Sequence, residues 1–133
     1  MFDLIQQGKA LPQRHLRAGD FVYRAGKPVD GNLYIVLEGV VAALDNQEGF
    51  ILGSELEPGA FFGDVEIMSE SEIRLQTYKV KSMSATLAIM DKRAVKLTGE
   101  LHPQFFLNLL RSAIDNLNRA EQYLINAAQK TEN

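Results

Sequence analysis

The stretch "DFVYRAGKPVDGNLYIVLEG", residues 20–39, decides the fold. Its first seven residues alternate apolar and polar and then break at Gly26-Lys27-Pro28. Its second half, "NLYIVLEG", is β-rich and stops at Gly39. Short runs of this kind, bounded by glycine and proline, are the signature of short strands joined by turns. The same pattern continues on the C-terminal side. "VVAALD" (40–45) turns through Asn46 to Gly49, and "FILGSEL" (50–56) ends at Glu57-Pro58-Gly59. "QTYKVKS" (76–82) and "ATLAIMD" (85–91) complete the series. From about residue 14 to residue 90 the chain therefore reads as a β-sandwich or jelly roll.

At residue 91 the period changes. "DKRAVKLT" (91–98) suits a short helix capped by Asp91. "HPQFFLNLLRSAIDNLNRAEQYLINAAQ" (102–129) carries a strong helical period from Pro103, a good first-turn residue. Phe106, Leu110, Ala113, Leu117, Ala120, Leu124 and Ala127 recur at alternating spacings of four and three, a heptad seam along one face. The seam can pack on the chain's own sheet or on a partner helix. Its narrowness and its alanines favour a partner. So does the length of the helix, roughly 37 Å at 1.5 Å per residue, which exceeds what the sandwich needs. The expectation is a homodimer through this helix. The tail "KTEN" is polar.

At 133 residues the chain has room for one domain, 1–133. Its 46% hydrophobic and 23% charged residues are ordinary for a folded protein, and a net charge of -3 argues against a surface built for nucleic-acid phosphates. No apolar run is long enough to span a membrane, and "MFDLIQQGKALPQRH" lacks a secretory pattern, so a cytoplasmic location is expected. The absence of cysteine excludes disulfides, thiolate metal sites and a cysteine nucleophile. His15 and His102 lie far apart without ligand-spaced partners. With no catalytic glycine loop, nucleophile elbow or zinc-helix motif, the reading is a non-enzymatic protein without a catalytic, metal or cofactor site.

Taken together, these residues resemble the cyclic nucleotide-binding domain family, which includes the bacterial catabolite activator and the regulatory subunit of cAMP-dependent protein kinase. "LRAGDFVYRAGKPVDGNLYIVLEG" looks like the family's opening strands, with Gly19, Gly26, Tyr34 and Gly39 at its glycine and aromatic positions. "LEPGAFFGD" resembles the turn into its phosphate cassette, and "ATLAIMDKRAVKLTGELHPQF" its closing strand, short helix and long C-terminal helix. The resemblance implies a mainly β jelly roll over about 14–90 and a dimerisation helix over about 102–129.

The family's cassette reads roughly Phe-Gly-Glu-aliphatic-small-aliphatic with an Arg ten residues beyond the Glu. In "FFGDVEIMSESEIR" (61–74), Phe62-Gly63-Asp64-Val65-Glu66-Ile67 falls on that pattern and Arg74 lies ten residues after Asp64. By resemblance, Arg74 neutralises a cyclic phosphate, Asp64 accepts from the ribose hydroxyl, and backbone N–H groups of the turn and short helix donate to phosphate oxygens. The implied ligand set is Gly63, Asp64, Val65, Glu66, Arg74 and Leu75, with Ala120 and Glu121 of the C-terminal helix near the base. Three departures mark this chain: Asp64 is one methylene short, Glu66 puts bulk and like charge at the small position, and Leu75-Gln76 replaces small residues. Arg74 has a second reading, an ion-pair network with Asp64, Glu66 or Glu72.

The function expected is a small sensor domain for cAMP, cGMP or a similar anion, signalling through its C-terminal helix to a partner helix or protein. Two alternatives remain. One is a ligand-free dimerisation or interaction module. The other is the sensor piece of a transcription regulator; with the sequence ending at Asn133, no DNA binding by this chain itself is expected.

Overall fold

The computed structural model describes residues 3–112 together with 114, 115 and 118. A short helix α1 (Leu4–Lys9) leads into β1 (Gln13–Arg17), β2 (Phe21–Tyr23), β3 (Leu33–Glu38), β4 (Val41–Leu44) and β5 (Phe61–Phe62). Helix α2 (Asp64–Ser69) follows, then β6 (Thr77–Val80), β7 (Ser84–Met90) and α3 (Lys92–Leu101). A further helix, α4, begins at residue 103 and is helical through 112.

The described strands form two antiparallel sheets, one ordered β1-β7-β3-β5 and the other β2-β6-β4. This is the mainly β jelly roll with C-terminal helices that the sequence leads one to expect. The larger sheet is covered on both faces, which explains why β3 reads as an unbroken apolar run rather than an alternation. Tyr34 and Val36 join Leu16, Val22, Val41, Phe62, Val80 and Leu87 in the core between the sheets. Leu33, Ile35 and Leu37 point the other way, into a second cluster with Ala88, Met90, Val95, Phe105 and Leu109. The second cluster fixes the helices. It also takes in Ile67 of α2, at its edge.

Two local results differ from the sequence reading. Helix α1 escaped it because six residues are too few for a period; Asp3 caps it, its carboxylate accepting from the amides of Ile5 and Gln6. Gly8 lets that helix lie directly on the sheet, since a Cβ there would come within 2.7 Å of the Leu37 side chain. The apolar run 50–56 is not a strand. It meets β4 through the isolated bridges Leu44–Phe50 and Val41–Leu56 and a bond from the Ile51 amide to the Ala43 carbonyl. Between them the chain turns at Gly53 (φ 81), and the Ser54 hydroxyl takes over the pairing, donating to the Ile51 carbonyl and accepting from the Ala43 amide.

The helical expectations for α3 and for Pro103 hold: the Asp91 carboxylate accepts from the Ala94 amide at 2.8 Å, and α3 ends at His102. On α4, Phe105 and Leu109 are buried (1% and 0% exposed), whereas the seam residues Phe106 and Leu110 stay 48% and 40% exposed. The rest of the seam (Ala113, Leu117, Ala120, Leu124 and Ala127) lies outside the described residues.

Candidate functional site

The cassette is built at the junction of β5 and α2. Phe62 is buried between the sheets among Tyr23, Tyr34 and Tyr78, with ring centroids 5.9, 5.5 and 4.7 Å away. The chain then reverses at Gly63, whose φ of 85° is left-handed. A Cβ at Gly63 would sit 2.9 Å from the Asn32 carbonyl oxygen and 3.1 Å from Nη1 of Arg74, so glycine is required for space as well as conformation. The turn delivers two carboxylates inward: Asp64 is fully buried and Glu66 is 4% exposed.

Arg74 runs beneath this turn and is itself buried. Its Nη2 donates to the Asp30 carboxylate and, at 3.2 Å, to the Asn32 carbonyl. Its guanidinium carbon lies 4.0 Å from the Tyr23 ring centroid, a cation–π contact. Nη1 faces Oε2 of Glu66 at 3.8 Å but makes no hydrogen bond among the described residues. The other oxygen of Glu66 accepts from the Leu75 amide at 3.0 Å. A buried donor without a hydrogen bond costs about 1–3 kcal/mol, so this arrangement is satisfied in charge and incomplete in hydrogen bonding.

The surroundings shift the neighbouring acids in definite directions. Burial raises the Asp30 carboxyl. Hydrogen bonds from the Asn32 amide and Tyr34 hydroxyl, with the charge of Arg74, outweigh it and hold the group below its usual value. Burial and then the Glu66 charge push the Tyr23 phenol well above its usual value, and its buried hydroxyl has no hydrogen-bond partner among the described residues.

Beside the cassette opens a cavity of about 470 Å³, walled by Gly63, Asp64, Val65, Glu66, Leu75 and by residues of β2, β4, β6 and the 45–56 loop. Five residues proposed from sequence thus share one wall. Arg74 does not line that cavity; its Nη1 lies 3.8 Å from Oε2 of Glu66, which does. Ala120 and Glu121 fall outside the described residues. Of the acids considered as partners of Arg74, Glu66 faces it directly. The sequence reading missed Asp30, Asn32 and Tyr23. The only available signal was the turn "VDGN" before the most apolar strand, where Asp30 accepts from the Asn32 amide at 2.9 Å.

His15 is exposed beside the Thr86 hydroxyl, and among the described residues no group of His, Cys, Asp and Glu is placed to hold a metal ion. No helix among them is long and apolar enough to cross a membrane.

Comparison with known proteins agrees with this geometry. Residues 13–97 match the cyclic nucleotide-binding domain family, and the chain belongs to that family. Among solved structures, a transcriptional regulator from Thermotoga maritima superposes with a TM-score of 0.74 at 17% identity, covering 96% of this chain and 99% of that one. A protein from work on a cyclic-GMP-dependent signalling pathway of bacterial phytopathogenesis gives 0.69 at 19% identity, over 90% and 95% of the two chains. The c-di-GMP-responsive global regulator CLP of Xanthomonas campestris gives 0.66 at 18% identity, over 96% of this chain and 60% of its own. At such identities the likeness concerns the fold alone. No curated protein matches the sequence significantly.

Proposed function

We propose that the chain is a non-enzymatic sensor domain that takes a cyclic nucleotide, or a ligand with a comparable small anionic group, in the cavity beside α2. The observation that carries this reading is the shared wall. Gly63, Asp64, Val65, Glu66 and Leu75, from two separate stretches of the cassette, line one cavity of about 470 Å³. That volume lies within the roughly 300–1,000 Å³ of small-molecule sites. The output is the C-terminal helix. Ile67, one residue beyond Glu66 on α2, packs at the edge of the cluster that holds Phe105 and Leu109 of α4, so displacement of α2 bears on α4. The exposed Phe106 and Leu110 begin the seam through which two copies pair.

Calorimetric titration of cAMP and cGMP into the full chain tests the sensor reading, with saturable binding of at least one expected. Heats no larger than dilution for both would remove it for these two ligands. A second reading, a ligand-free dimerisation module, is favoured by the internal partners of Arg74, namely Asp30, the Asn32 carbonyl, Glu66 and the Tyr23 ring. No binding together with a light-scattering mass twice the 14.8 kDa of one chain would support it. A monomer would count against dimerisation in both readings, and loss of the dimer in Leu117→Glu would locate its seam.

A further inference from the structure

We infer that Glu66 is a tethered anion: its carboxylate occupies the oxyanion site formed by the Leu75 N–H and Nη1 of Arg74, and an anionic ligand must exchange with it. The inference rests on the sensor reading for its biological sense, but its geometry stands separately. Among the described residues the hydrogen bonds of the guanidinium are made by Nη2, which is held by Asp30 and the Asn32 carbonyl. Its Nη1 is presented to Glu66, buried and without a hydrogen bond among the described residues. The same carboxylate takes the Leu75 amide at 3.0 Å. A cation and a backbone N–H converging on one carboxylate make an anion site.

Glu66 fills that site imperfectly because it is tied to the α2 backbone. It reaches the amide at hydrogen-bond distance and Nη1 only at 3.8 Å. A phosphate has oxygens on several sides and no tether, so it can bond both donors at once. Exchange needs a way in and a place for the displaced side chain. Glu66 lines both the 470 Å³ cavity and, on the other side, a groove of about 780 Å³ bounded by Asp30, Asn32 and Lys92. Two anions cannot share the site without repulsion, so Glu66 sets the threshold for the ligand.

The test titrates cAMP, cGMP and inorganic phosphate, in chloride buffer, into wild type, Glu66→Ala and Glu66→Gln, with thermal unfolding to confirm folding. Whichever probe binds should bind Glu66→Ala roughly tenfold or more tightly than wild type, because the like charge is gone. Glu66→Gln, which can still accept from Leu75 without a charge, should fall between them, and decides alone if Glu66→Ala does not fold. Phosphate binding to Glu66→Ala but not to wild type, with no nucleotide bound by either, upholds the tethered anion and sinks the nucleotide sensor. Nucleotide binding by wild type that weakens in both variants upholds the sensor and overturns the tethered anion. Variants that bind no probe better than wild type overturn it as well.

Discussion

Arg74 shows how much one residue can be asked to do inside a small core. It is among the largest fully buried side chains, and it is surrounded by a carboxylate on each side, a carbonyl and an aromatic face. Replacing it with alanine would strand Glu66 in the interior with one amide donor. Arg74→Ala should therefore cost about 3–5 kcal/mol in denaturant unfolding, the usual result of breaking a buried pair. The double variant with Glu66→Ala should lose less than the sum of the single losses. A loss for Arg74→Ala no larger than for an exposed arginine would show that the pair contributes nothing. Asp30 supplies a pH signature. Its folded carboxyl titrates below its unfolded value, so its contribution is complete above the unfolded value near 3.9 and disappears as pH falls through the lower folded one. Wild type should accordingly lose melting temperature more steeply than Asp30→Asn as pH falls below about 4. Parallel curves would dismiss the role of Asp30.

Among the elements, α4 carries apolar residues on two faces, one buried and one exposed. Phe105 and Leu109 close the cluster on the outer face of the larger sheet, whereas Phe106 and Leu110 remain about half exposed. Neighbouring positions on one helix can thus be separated by experiment. Leu109→Ala should cost about 2–5 kcal/mol of unfolding free energy, as expected for a leucine truncated in a packed core. Leu110→Ala should change monomer stability by no more than about 0.5 kcal/mol and instead weaken self-association, read by sedimentation across a dilution series. Equal stability losses for the two would mean that the exposed face is not reserved for a partner.

For the whole molecule, the proposed sensor needs a path from the cassette to the C-terminal helix. The larger sheet divides two clusters, and α2 spans the divide: Glu66 faces Arg74, while Ile67 packs beside the helices. Ligand exchange at Glu66 should slow amide hydrogen exchange over residues 103–112 in wild type. Ile67→Ala should keep ligand affinity close to wild type and abolish that slowing. Unchanged protection in Ile67→Ala would place the coupling elsewhere.

The sequence by itself determined the class of fold, because strand period, turn glycines and the change to a helical period at Asp91 are local properties of the chain. The stretch picked out by resemblance to the family also stays together in space, since Gly63, Asp64, Val65, Glu66 and Leu75 line one cavity. The sequence could not determine which way Arg74 points. That depends on Asp30, 44 positions away, and on Tyr23, brought under the guanidinium only when β2 and the cassette pack together. Nor could a hydrophobic run such as 50–56 announce that Ser54 would intercept its ladder bonds. Periodicity records which face of an element is buried. The partner of a buried charge is chosen by tertiary packing, where each charge must be matched by whatever the fold brings within reach.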